Sequence, residues 1–166
     1  MGLDAVVFCD CVEKKRLKRS HPFPNLLFIS PNGSPQIRSR NAAKVDQHDK
    51  WMEHACKHEG MMIAGARLGS ISAISFLQDA IARAIPTVAQ DFPVLWEKVI
   101  FDGGHCGDHL SLPDVVRLRQ ELAELRKVDF KKLKLSESDL DYVEEFQADL
   151  ASVVKVAIKL KKPIAF

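Results

Sequence analysis

The chain has 166 residues, 46% of them hydrophobic and 28% charged, and its 24 basic and 22 acidic side chains nearly cancel to +2. A chain of about 150 residues buries roughly 68–70% of its unfolded surface, so a core is within reach without staples. The near-neutral balance argues against self-repelling disorder and against a surface built mainly to grip a phosphate backbone, and eight Gly and eight Pro without a repeat exclude collagen-like architecture.

At the start of the sequence, Asp4 and Asp10 bracket only five apolar residues, too few for a secretory h-region. Val6 and Pro163 stand where myristoylation and prenylation signals need Ser/Thr and Cys. Charges interrupt every apolar run well short of the ~18 residues that cross a bilayer. A cytoplasmic chain without a membrane partner is expected, in which Cys9, Cys11, Cys56 and Cys106 default to buried thiols.

Residues 3–10 read as a buried β-branched strand, on which Cys9 and Cys11 would share a face about 6.6 Å apart, too far for an easy disulfide. Residues 14–19 form a basic surface loop, a solvated run with no stacking aromatics, so nucleic acid is not the expected partner. Residues 26–30 and 36–39 predict a hairpin about Asn32-Gly33, a pair that accepts positive φ. A helix is predicted over 44–58, a strand over 61–66, and an amphipathic helix from Ile71 to Ile85 that Pro86 ends. Asp91-Phe92-Pro93 opens a short helix through Trp96, after which Val99-Ile100-Phe101 reads as a strand feeding a Gly-rich loop. Ser111-x-x-Asp114 and Ser136-x-x-Asp139 are helix starts with capping-box shape; the second opens a seam from Leu140 to Leu160, about 24 residues and roughly 36 Å long. The expectation is one α+β domain over residues 1–166. It has a single small mixed sheet, about four main helices, and a long C-terminal helix (135–162) that wraps the core or meets another chain.

The densest group of donors is the loop 102–109, which brings together two imidazoles (His105, His109), the Cys106 thiol and the carboxylates Asp102 and Asp108. Imidazole and thiolate suit zinc or another borderline metal, so His105, Cys106, Asp108, His109 and, from outside the loop, His58 are the candidate metal ligands. A structural zinc site usually shows two separated ligand pairs, whereas this loop is one cluster and must recruit Cys9, Cys11 or His58. His54 and His58 would share a helix face, but Ala55 occupies the place of the general-base Glu in zinc proteases. Protonation near pH 6 of such a pair would make its region mildly pH-sensitive. Nucleotide-binding and Gly-x-Ser-x-Gly fingerprints are absent, so no catalytic residue is assigned and no cofactor is expected beyond zinc or another borderline metal, which the donor set suits.

Met1-Gly2-Leu3-Asp4-Ala5-Val6-Val7 with Cys9-Asp10-Cys11, the central Arg67-Leu68-Gly69-Ser70-Ile71, and Gly104-His105-Cys106-Gly107-Asp108 together resemble an uncharacterised family of short bacterial proteins over about residues 1–126. The resemblance implies no activity and no site residue. By class analogy alone, small cytosolic proteins of this kind include immunity partners of toxins. Charge divides unevenly along the chain, with nine cations and five anions in 1–50, six and ten in 51–125, and nine and seven in 126–166. That division, with the missing enzyme fingerprints, points to a protein-binding module that docks a heterologous partner or a second copy; the alternative is a metal-dependent or thiol enzyme using the 102–109 loop.

Overall fold

The computed structural model describes residues 2–101 and 108–166. The fold is α+β, with a four-stranded antiparallel sheet in the order β4-β1-β6-β5 and a separate hairpin β2-β3. Strand β1 (Gly2–Phe8) alternates buried Leu3, Ala5 and Val7 with outward Asp4, Val6 and Phe8, the period of two that a half-covered sheet requires. It pairs along its length with β4 (Met62–Ser70), and Val6 faces Ala165 of β6 (Ile164–Ala165), which in turn pairs with β5 (His109–Leu110).

Three helices cover the inward face. In α2 (Ile71–Ala84) the buried Ile74, Leu77, Ala80 and Ile81 recur at steps of three and four, and the Ser70 hydroxyl caps the first turn by accepting from the Ala73 amide. Helices α4 (Leu112–Leu125) and α5 (Glu137–Leu160) start at Ser111 and Ser136, whose hydroxyls accept from the amides three residues on, as their capping-box sequences predict. Over its 24 residues α5 buries Val143, Phe146, Leu150, Val153 and Ala157 against β1, β4 and α4, so the long helix is a wall of the core for most of its length.

The hairpin β2 (Leu27–Ile29) and β3 (Pro35–Ile37) turns at Asn32-Gly33 as expected, with Gly33 at φ 85°. It forms its own two-stranded sheet, so the predicted single mixed sheet is instead two antiparallel ones. The predicted strand at 99–101 is also corrected: residues 94–101 form a π-helix that follows the short α3 (Val88–Asp91). The buried Glu121 carboxylate accepts from the Val94 and Leu95 amides at 3.3 and 2.7 Å, capping that helix, while Leu95, Val99 and Ile100 reach the core at helical spacing. The 102–109 segment therefore follows a helix, not a strand, and its residues 102–107, Asp102 among them, lie outside the described residues.

Among the described residues, two separate buried clusters result. The main one fills the space between the sheet and helices α2, α4 and α5. The second contains Cys9, Cys11, Trp51, Ala55, Cys56 and Met61, and belongs to a small lobe, residues 9–61, that carries the hairpin and α1 (Ala42–His54). Just past α5, Lys162 is buried and ion-pairs with Glu13, tying the lobe to the main layer.

Candidate metal centre

Strand β1 stops at Phe8, and the chain turns at once: the Arg16 amide donates to the Cys11 carbonyl at 2.8 Å and the Lys14 amide to that of Asp10 at 2.9 Å. Asp10 fixes this turn through ion pairs of 2.5 Å to both Lys14 and Arg16, and those two cations hold its carboxyl below the ordinary value. Helix α1 likewise ends at His54, earlier than its sequence pattern predicts, and a second turn follows over 55–61 with Gly60 and Met61 at positive φ. Backbone bonds stitch the two turns together, Cys9 to the Met61 carbonyl at 2.8 Å and Lys18 to the Ala55 carbonyl at 2.7 Å.

The consequence is a convergence of four side chains. The Cys9, Cys11 and Cys56 sulfurs and a ring nitrogen of His58 all lie within 4.8 Å of one another, the three thiols buried and the imidazole half-buried. Cys9 Sγ is 3.7 Å from Cys56 Sγ, and His58 Nδ1 is 3.5 Å from both Cys11 Sγ and Cys56 Sγ. These separations can be compared with the edges of a zinc tetrahedron. Bonds of about 2.3 Å to sulfur and 2.0–2.1 Å to nitrogen give edges of about 3.8 Å between sulfurs and about 3.5 Å between sulfur and nitrogen. The cluster could therefore take a metal ion at its centre with little rearrangement. Burial pushes the Cys9 thiol up to about 12 and raises that of Cys11, so in the metal-free chain these two are firmly protonated.

Of the ligands expected from sequence, His58 is in this cluster, but its partners are Cys9, Cys11 and Cys56. His105 and Cys106 lie outside the described residues. Asp108 follows them, its carbonyl accepting from the Phe166 amide at 2.9 Å, and His109 is exposed on β5, two strands away from β1. The His54–His58 pairing is not formed, because α1 ends between them and leaves His54 exposed. The reading of Cys9 and Cys11 as a straight-strand pair also fails, since the turn after Phe8 swings both sulfurs inward. The overlooked signal is the repeated short spacing, Cys9-x-Cys11 and Cys56-x-His58, the two separated pairs a structural zinc site is expected to show.

A second polar group lies under the same helix. The Phe23 amide donates to His21 Nδ1 at 2.9 Å, so the His21 proton is on Nε2, which donates to His48 Nδ1 at 3.0 Å; His48 Nε2–H then donates to the Pro35 carbonyl at 3.2 Å. Each ring has one donor and one acceptor role, which fixes both as neutral. Trp51 stands edge-on to His21 at 4.5 Å and donates to the Arg19 carbonyl. Burial, with the neighbouring His48, lowers the His21 pKa.

Among the described residues no helix is long and apolar enough to cross a membrane. Compared with protein-family models, curated proteins and solved structures, the chain matches none of them.

Proposed function

We propose that this chain is a zinc protein in which Cys9, Cys11, Cys56 and His58 hold one Zn²⁺ in a closed structural centre, and that the lobe so organised serves as a protein-binding module. The observation that carries the reading is the fit of the three measured separations to a tetrahedron of one nitrogen and three sulfurs. The donor set selects zinc over magnesium or calcium, which prefer oxygen. Four protein ligands leave no open position for water or substrate, so the ion builds structure and does not activate a nucleophile. Thiols kept reduced for this purpose fit a reducing compartment such as the cytoplasm.

The lobe needs such an ion. Its buried apolar cluster has six members, three of them cysteines, too few to hold residues 9–61 by hydrophobic burial. The module's recognition surface is basic, with ten cations against six anions over residues 9–61, and suits an acidic face on another protein.

Elemental analysis of protein purified without added metal tests the reading, with one zinc per chain expected and less than about a tenth of an equivalent overturning it. A pulldown comparing zinc-loaded with chelator-treated chain tests the binding role. Partner retention only by the zinc-loaded form is expected, and equal or absent retention by both counts against it.

A further inference from the structure

We propose that Cys56 is an oxidant-reactive thiolate that takes a hydroperoxide, with Cys9 as its resolving partner, so that oxidation ejects the metal. The proposal rests on the zinc reading above and adds its regulation. It starts from an asymmetry within the centre. Cys56 and His58 line a polar hollow of about 500 Å³ whose walls include Lys18, Arg19 and Lys57. Among the described residues those three cations make no ion pair, although Glu53 and Glu59 share the same wall. All three thiols are buried in the small core, Cys9 and Cys11 at 2% exposure and Cys56 at 5%, and of the three Cys56 alone also lines the hollow.

The chemistry at Cys56 follows from its neighbours. The His58 amide donates to its sulfur at 3.4 Å, and metal coordination would keep the sulfur deprotonated without help from solvent. A peroxide arriving through the hollow is attacked by the Cys56 sulfur: an S–O bond forms, the O–O bond breaks, and the departing hydroxide, flanked by the cations, takes a proton to become water. Cys9 Sγ, 3.7 Å away, then attacks the oxidised sulfur; the S–S bond forms, the S–O bond breaks, and a second hydroxide leaves and is protonated. In balance, two thiolates, one peroxide and two protons give one disulfide and two waters. The two electrons that reduce the peroxide come from the two sulfurs. Zinc is left with Cys11 and His58 alone, too few ligands to hold it. A dithiol reductant reverses the step.

The experiment uses the full chain loaded with zinc and titrated with hydrogen peroxide, with released zinc followed by a chromogenic chelator and the disulfide located by non-reducing peptide mapping. One zinc released per peroxide consumed is expected, with a Cys9–Cys56 linkage and recovery after dithiothreitol and fresh zinc. In Cys9→Ser, dimedone should label Cys56. Lys57→Glu should slow zinc release about five-fold by weakening the positive wall. Retention of zinc with all thiols reduced in excess peroxide overturns the proposal, as does a disulfide that omits Cys56. A chain that binds no zinc at the outset refutes the metal reading and this proposal with it, whereas a zinc-loaded chain that fails the peroxide titration overturns this proposal alone.

Discussion

The main layer closes over Leu77, Leu118, Phe146 and Leu150, side chains that share no chemistry beyond being apolar and well packed, whereas the small lobe closes over Trp51, Ala55, Met61 and three thiols. Hydrophobic cohesion is distributed, so the loss of one contact in the main layer is shared among many neighbours. On the proposed zinc reading, cohesion in the lobe is concentrated at one point, where four side chains from two turns meet. One chain would then hold one region by area and another by coordination, and the two should fail under different insults.

The largest expected effect is removal of the ion. A structural zinc contributes apparent binding free energy on the order of 10–16 kcal/mol. Chelation, or Cys11→Ser, should therefore melt residues 9–61 while α2, α4 and α5 keep their amide protection. Hydrogen exchange resolved by segment measures this, and uniform loss of protection across both regions would erase the distinction. Next in size, Leu150→Ala in the middle of α5 should cost about 2–5 kcal/mol of main-layer stability by leaving a cavity. Denaturant unfolding of this variant with and without chelator should give the same loss in both cases; a loss that depends on zinc would show the two regions to be one cooperative unit.

The smallest effect concerns pH. His21 has a folded pKa below its ordinary 6.5, so as pH falls the unfolded chain takes up a proton that the folded lobe resists. The stability this group contributes is complete above pH 6.5 and is lost as pH falls from there through the lowered folded value. Protonating His21 at Nδ1 would set an N–H against the Phe23 amide. Ring-nitrogen NMR of zinc-loaded protein should show His21 neutral at pH 7 with its proton on Nε2. A charged His21 ring at that pH would break the assignment.

The main layer was largely legible in the sequence because its signals are local. Serine caps at Ser111 and Ser136, the three- and four-residue steps of α2 and α5, and the Asn32-Gly33 turn are decided within a few neighbouring residues. The π-helix at 94–101 was not legible, because the Glu121 carboxylate that starts it comes from a different helix. The metal cluster was hidden for a related reason. Extrapolating strand β1 through Cys11 and helix α1 through His58 gives two regular elements with divergent side chains, and only the early stops at Phe8 and His54 bring the pairs together across 47 positions.

The position of β1 in the sheet also sets an order of assembly. It is flanked by β4 on one side and by β6 on the other, with Val6 paired to Ala165. A chain emerging from the ribosome can therefore pair β1 with β4 and bring the Cys9–Cys11 and Cys56–His58 turns together early, since both precede most of the main layer. The other edge of β1 stays bare until Ile164 and Ala165 have been made. Synthesis thus passes through a stage with a closed small lobe and an unguarded strand edge, the interval in which this protein is most exposed to pairing with another nascent copy of itself.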